Sequence, residues 1–168
     1  MLRFLFPRLT PDQRGSALFA AITAKAREPH WYVAGEVPDT IDGRFRVLAT
    51  LCALVTVRME AFGPAGEAAS VGLTERFIEV METEHREIGL GDPSLGKKVR
   101  KLVGSLARRV TIWREAVAGA VSWDEATVGS LYGDEPDADA LEYSSAALRS
   151  FWDVLSDRTL EQIAGGDI

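Results

Sequence analysis

The sequence predicts an all-α fold, a single-domain helical bundle of five to seven helices spanning residues 1–168. Three observations lead there. Apolar residues recur at alternating steps of three and four in one segment after another. Ser, Thr or Asp stands before several of these segments, and Gly or Pro closes them. No stretch reads as a convincing strand or as an internal repeat.

The first helix opens at Thr10-Pro11-Asp12-Gln13, with Thr10 as N-cap, Pro11 at the first helical position and Gln13 at the capping-box position. It carries Leu18, Phe19, Ile22 and Ala26 on one side and ends before Pro29. Residues 30–38 read as a loop, because Gly35 and Pro38 break the period. Asp39 is placed to cap the second helix, and Asp42 suits the positive end of its dipole. In that helix Ile41, Phe45, Leu48, Cys52, Val55, Met59 and Phe62 make one stripe, with Val47, Leu51 and Leu54 beside it. A helix apolar on two flanks belongs at the centre of a bundle. Gly63-Pro64 ends it.

The third helix, about 70–87, turns Leu73, Phe77, Val80 and Met81 inward and Glu75, Glu79 and Glu82 outward. Residues 88–93 form a turn by their glycines and proline. The fourth helix, about 94–120, lines up Leu95, Val99, Leu102, Leu106, Val110, Trp113 and Val117. Ser122-Trp-Asp-Glu125 is a capping box opening a short helix that stops at Gly133. The last long helix, about 137–156, uses Leu141, Leu148, Phe151, Trp152 and Leu155, and a final turn over 160–164 ends at Gly165-Gly166.

Composition excludes several classes. The chain is 46% hydrophobic and 26% charged, which is globular rather than disordered or fibrous. One cysteine, Cys52, rules out an internal disulfide and any Cys-rich zinc site. The longest apolar run, 47–57, is bracketed by Arg46 and Arg58 and falls short of the about 18 residues of a membrane span. Residues 1–9 are apolar with Arg3 and Arg8, too short for a signal-peptide core, so a cytoplasmic protein mature from Met1 is expected. That segment suits either a membrane interface or packing on the bundle. Charge is uneven: net −3 over residues 1–93, +6 over 94–121 and −9 over 122–168, within a total of −6.

Catalytic constellations are weak. Glu82-Thr-Glu-His85 places a carboxylate and an imidazole on one helix face, but a di-iron bundle needs two such motifs, and His30 has no partner at that spacing. His85 reads as a surface residue, and no metal or other cofactor is expected. Cys52 falls in the apolar stripe and reads as a core thiol. No Gly-x-Ser-x-Gly elbow is present, and Gly89-Leu-Gly91 lacks the strand and the Gly-Lys-Ser/Thr of a phosphate loop. The expectation is a protein that is not an enzyme.

The basic helix carries Lys97, Lys98, Arg100, Lys101, Arg108, Arg109 and Arg114. Two readings stand: a solvated face neutralised by the acidic C-terminal helices, or a site for an anionic partner such as ribosomal RNA, phospholipid headgroups or an acidic protein segment. The total charge argues against a dedicated nucleic-acid binder, and DNA is not an expected partner. Trp31 and Tyr32 read either as cover for the core or as a partner contact.

Two blocks carry a resemblance. The first is Val37-Pro-Asp-Thr-Ile-Asp-Gly-Arg-Phe45 after the aromatic pair Trp31-Tyr32; the second is Arg86-Glu-Ile-Gly-Leu-Gly-Asp92, then Leu95, Lys97-Lys98-Val-Arg-Lys101 and Arg108-Arg109. In this order and separation they resemble the ubiquinol–cytochrome c chaperone family over about residues 10–160, in a bacterial-type member. Pro93, and Trp113 where a tyrosine is expected, depart from the pattern.

The resemblance implies an assembly factor of cytochrome bc1, respiratory complex III, that binds nascent or newly inserted cytochrome b. It implies association with a small partner subunit and the ribosomal tunnel exit, and peripheral contact with the inner membrane. A peripheral lipid- or quinone-associated binding protein is the competing expectation. Asp39, Thr40, Gly43, Arg44, Phe45, Glu87, Gly89, Gly91 and Asp92 are expected to be structural signature residues. Gly43 would allow a close helix contact, Arg44 would reach Glu87 or Asp92, and Asp92 would cap the basic helix. Lys97, Lys98, Arg100, Lys101, Arg108, Arg109, Trp31 and Tyr32 are the expected partner surface.

Overall fold

The computed structural model describes residues 15–87, 89 and 92–168. The N-terminal apolar segment and the Thr10 cap lie outside the described residues, as do Ile88, Leu90, Gly91 and the Asp92 side chain. Among the described residues there are eight helices and no strand: α1 (Ser16–Ala26), α2 (His30–Val33), α3 (Ile41–Glu60), α4 (Pro64–Glu87), α5 (Asp92–Val117), α6 (Trp123–Leu131), α7 (Ala138–Ser156) and α8 (Leu160–Ala164). The all-α bundle is as expected, with six long helices and two short ones.

Helix α3 is the axis. Every residue from 49 to 57 is buried, as are Val47 and Met59. A helix without a solvent face must be enclosed, and α1, α4, α5, α6 and α7 all pack against it. The inward residues expected on α1 (Leu18, Phe19, Ile22, Ala26) are buried, as are Leu73, Phe77 and Met81 on α4. Phe77 meets Phe19 edge-on at 6.4 Å and Phe45 at 6.1 Å, tying α4 to α1 and α3.

Helix ends account for most of the differences from the sequence expectation. Residues 30–33 form a helical turn rather than loop, held by Val33 N–H to Pro29 O at 3.0 Å. Asp39 does not cap α3. Thr40 does, its Oγ1 accepting Gly43 N–H at 3.1 Å, while Asp39 takes Arg44 Nε at 2.6 Å. Arg44 therefore does not reach Glu87. The neighbour of Gly43 is a loop carbonyl rather than another helix: a Cβ there would sit 1.8 Å from Pro38 O. Ile41 is 81% exposed, because the first turn of α3 projects past its neighbours. Helix α4 begins at Pro64 rather than near 70, since Pro is tolerated at the first helical position. The first turn of α6 is capped by Ser122, whose Oγ accepts Glu125 N–H at 3.1 Å, and α8 carries a full capping box between Thr159 and Gln162.

Two expectations follow. Gly→Ala inside a helix ordinarily stabilises by about 1 kcal/mol. Gly43→Ala should instead destabilise by about 1–3 kcal/mol, because Pro38 O must move, as read from urea midpoints. Burial pushes the Cys52 thiol up to about 12. An unfolded thiol ionises from about pH 8.5, so the unfolded state gives up its proton first and stability falls as pH rises from there towards 12. The wild type should lose stability between pH 9 and 11 relative to Cys52→Ala, and native Cys52 should resist a thiol reagent that labels it in urea.

Candidate functional site

The first signature block builds one wall of a cleft. Thr40 and Gly43 set the entry of α3, and Tyr132 holds the preceding loop. The Tyr132 hydroxyl donates to Gly35 O and lies 2.7 Å from Ser144 Oγ, joining residue 35 to α6 and α7. Burial raises the Tyr132 pKa, so the hydroxyl keeps its proton. Gly35 leaves the room this needs, for a Cβ would come within 2.6 Å of Ser144 Oγ. The opposite wall is residues 131–137. The open cleft, about 520 Å³, carries Glu36, Asp42, Asp134, Glu135 and Asp137 against, among the described residues, one cation, Arg46, which is paired with Asp42 at 2.7 Å. It is a concave acidic surface.

Arg109 is buried behind α6 and is not part of an exposed cationic face. It is 9% exposed, and its Nε and Nη2 donate to Ser130 O at 3.2 and 2.7 Å. Nη1 reaches the carbonyl of Ser105 at 3.2 Å and its hydroxyl, and the guanidinium lies 5.9 Å from the Phe45 ring centre. Burial first, then the neighbouring Arg46 and Arg108, lower its pKa to about 10. The charge persists at neutral pH and faces the carbonyl end of α6, where the helix dipole favours a cation. The apolar stripe of α5 contained the clue: Arg109 stands three residues after Leu106 and four before Trp113, both buried.

The aromatic pair also turns inward. Trp31 is 3% exposed, with Nε1 donating to Lys25 O at 2.9 Å. Tyr32 is half-buried, and its hydroxyl donates to Ala26 O at 2.6 Å. Both lock α2 onto the end of α1, which fits the reading of the pair as core cover rather than as a partner contact. A smaller cleft of about 270 Å³ beside Trp31, Leu51, Phe151 and Val154 falls below the about 300–1,000 Å³ of small-molecule pockets, which gives a quinone no enclosed site there.

The other expected cations are outside. Lys97, Lys98, Arg100, Lys101 and Arg108 are exposed, and among the described residues none has a carboxylate within ion-pair distance. The acidic C-terminal helices make no ion pair with this face among the described residues. Arg114 differs, pairing with Glu60 at 2.7 Å. Of the second block, Glu87 is exposed and Gly89 has φ +87°, the left-handed turn that favours glycine. His85 Nδ1 donates to Met81 O at 2.7 Å.

These features sit within a recognisable lineage. Residues 34–165 match the ubiquinol–cytochrome C chaperone family, a span that includes both signature blocks. The chain belongs to that family. Among solved structures, it is similar to the crystal structure of the Cbp3 homolog from Brucella abortus, with TM-score 0.76 and 25% identity over 94% of this chain and 88% of that one. No curated protein matches it.

Arg109→Ala should lower stability by about 2–3 kcal/mol, the scale of lost charge-assisted hydrogen bonds. Lys97→Ala should fall within about 0.5 kcal/mol of wild type. Urea unfolding at unchanged slope separates the two.

Proposed function

We propose that this family member is a non-enzymatic assembly chaperone of the cytochrome bc1 complex that transiently binds cytochrome b at the cytoplasmic face of the inner membrane. Family membership across residues 34–165 is the observation that carries the reading. The likeness to the Cbp3 homolog supports it, and so does the place of the first signature block in the wall of a cleft. No helix among the described residues is long and apolar enough to cross a membrane, which fits a protein that acts on a membrane client from outside the bilayer.

The acidic cleft is the concave surface matched to such a client. Cytoplasmic loops of membrane proteins are enriched in Lys and Arg. The carboxylates of Glu36, Asp134 and Glu135 would hold such a loop, whereas the cations of α5 would repel it. The sequence expectation put the client on α5, and the geometry favours moving it to the cleft. The ribosome and a small partner subunit remain candidate partners by family resemblance.

A crosslinking pull-down from membranes tests this. Tagged wild type should recover cytochrome b, and Glu36→Lys/Asp134→Lys/Glu135→Lys should recover at least about tenfold less, given several kcal/mol of like-charge repulsion. Deleting the gene should lower assembled cytochrome b without altering its message. Normal complex III in the deletion strain would refute the proposal.

A further inference from the structure

Five cations on α5 have no role in the fold. Lys97, Lys98, Arg100, Lys101 and Arg108 are exposed, none makes an ion pair among the described residues, and residues 94–114 contain no acid. Within one helix they oppose one another: Lys97 stands three and four residues from Arg100 and Lys101, and Lys98 stands three from Lys101. Like charges at these spacings destabilise a helix. The neighbouring α4 carries exposed Glu75, Glu79, Glu84 and Glu87, yet none comes within ion-pair distance of these cations. Among the described residues the array is self-repelling and has no ion-paired anionic counterpart.

The shape of the face selects the counterpart. Gly96 and Gly104 leave gaps on the helix surface, and the arginine one turn on lies close to each. A Cβ at Gly96 would be 3.6 Å from Arg100 Nη1, and one at Gly104 would be 3.8 Å from Arg108 Nη1. The guanidinium groups therefore lie low along the helix. None of the three clefts described is lined by any of the five cations, so none of them brings these cations together to seat an acidic peptide. No aromatic side chain lies on α5 between residues 97 and 108, so single-stranded nucleic acid has no stacking platform. A low-relief cationic helix face without aromatics fits a planar array of negative charges.

We propose that the outer face of α5 over residues 97–108 docks the protein on the headgroups of an anionic phospholipid bilayer. This deepens the preceding reading, resting on it for the membrane location and adding the surface and lipid chemistry. Attraction is electrostatic and peripheral. Each Lys or Arg near an anionic surface multiplies affinity about fivefold, and salt screens the effect.

Co-sedimentation of the full chain with vesicles tests the proposal. Wild type should bind vesicles of phosphatidylcholine with added phosphatidylglycerol at low salt, release at high salt, and ignore phosphatidylcholine alone. Lys97→Glu/Lys101→Glu/Arg108→Glu should lose binding at least about tenfold with an unchanged thermal melt, and the Gln triple variant should fall between. Equal binding to both vesicle types, no binding by wild type, or undiminished binding by the Glu variant would overturn the proposal. So would tighter binding to an RNA duplex than to the anionic vesicles at the same salt, which would assign the face to nucleic acid. The cytochrome b pull-down is scored separately. Vesicle binding lost with client capture kept removes only this inference, whereas capture lost with vesicle binding kept removes only the chaperone reading.

Discussion

Enclosure of α3 is the constraint from which the rest of the structure follows. Nine consecutive buried residues give this helix no face for water, so its neighbours must close around it. Closing a ring of helices about a rod turns some helix ends towards the interior. The last four carbonyls of any helix lack intrahelical donors, and burying them unpaired is unfavourable. Two arginines supply the donors. Arg58, from the end of α3, reaches Leu155 O at 2.9 Å and Ser156 O and Arg158 O at 3.2 Å. Arg109 serves Ser130 O next to the last residue of α6. Neither relies on a carboxylate, since the negative ends of α7 and α6 provide the compensating field.

This solution explains which parts of the fold were legible in the sequence. The spacing of Cys52, Val55 and Met59 beside Val47, Leu51 and Leu54 placed α3 at the centre, since a solvent-facing helix would not spend two flanks on apolar residues. Ser122 and residues 160–164 were equally readable, because their caps are local. The misassigned ends depend on contacts beyond the local window. Thr40 and Asp39 are both good N-caps. Fit of Gly43 against Pro38 O and the Arg44–Asp39 pair decide between them, and both involve a loop whose path the sequence did not reveal. The α2 turn was masked by Gly35 and Pro38, which follow it closely and read as loop.

The candidate surfaces were less legible for a different reason. A row of Lys and Arg reads as solvent-exposed from composition, so Arg109 was grouped with Arg108 although only Arg108 faces out. Trp31 and Tyr32 stand in a segment rich in loop formers, and only the carbonyls of Lys25 and Ala26 in space turn them inward. The acidic cleft has no local sequence signature because its carboxylates come from two segments about a hundred residues apart, Glu36 and Asp42 against Asp134, Glu135 and Asp137. The link between the walls, Tyr132 to Gly35, is a tertiary contact with no local signature.

Arg109 also decides how the two surfaces relate. Its charge interacts with Arg46, which lines the acidic cleft, and with Arg108, the last cation of the exposed row. The basic face therefore begins beside the cleft and runs away from it along α5 towards Lys97. Because Arg109 is buried and hydrogen-bonded to rigid carbonyls, it cannot swing out to neutralise the carboxylates, and Arg46 is already paired with Asp42. Acid and base stay segregated on adjoining surfaces of a chain whose charges could have cancelled. On the proposed readings, this arrangement would separate two tasks electrostatically. Anionic headgroups would be drawn to the convex helix and repelled by the cleft, while a Lys- and Arg-rich loop would be drawn to the cleft and repelled by the helix. The same bilayer that holds the protein would thus leave the concave surface free for the client.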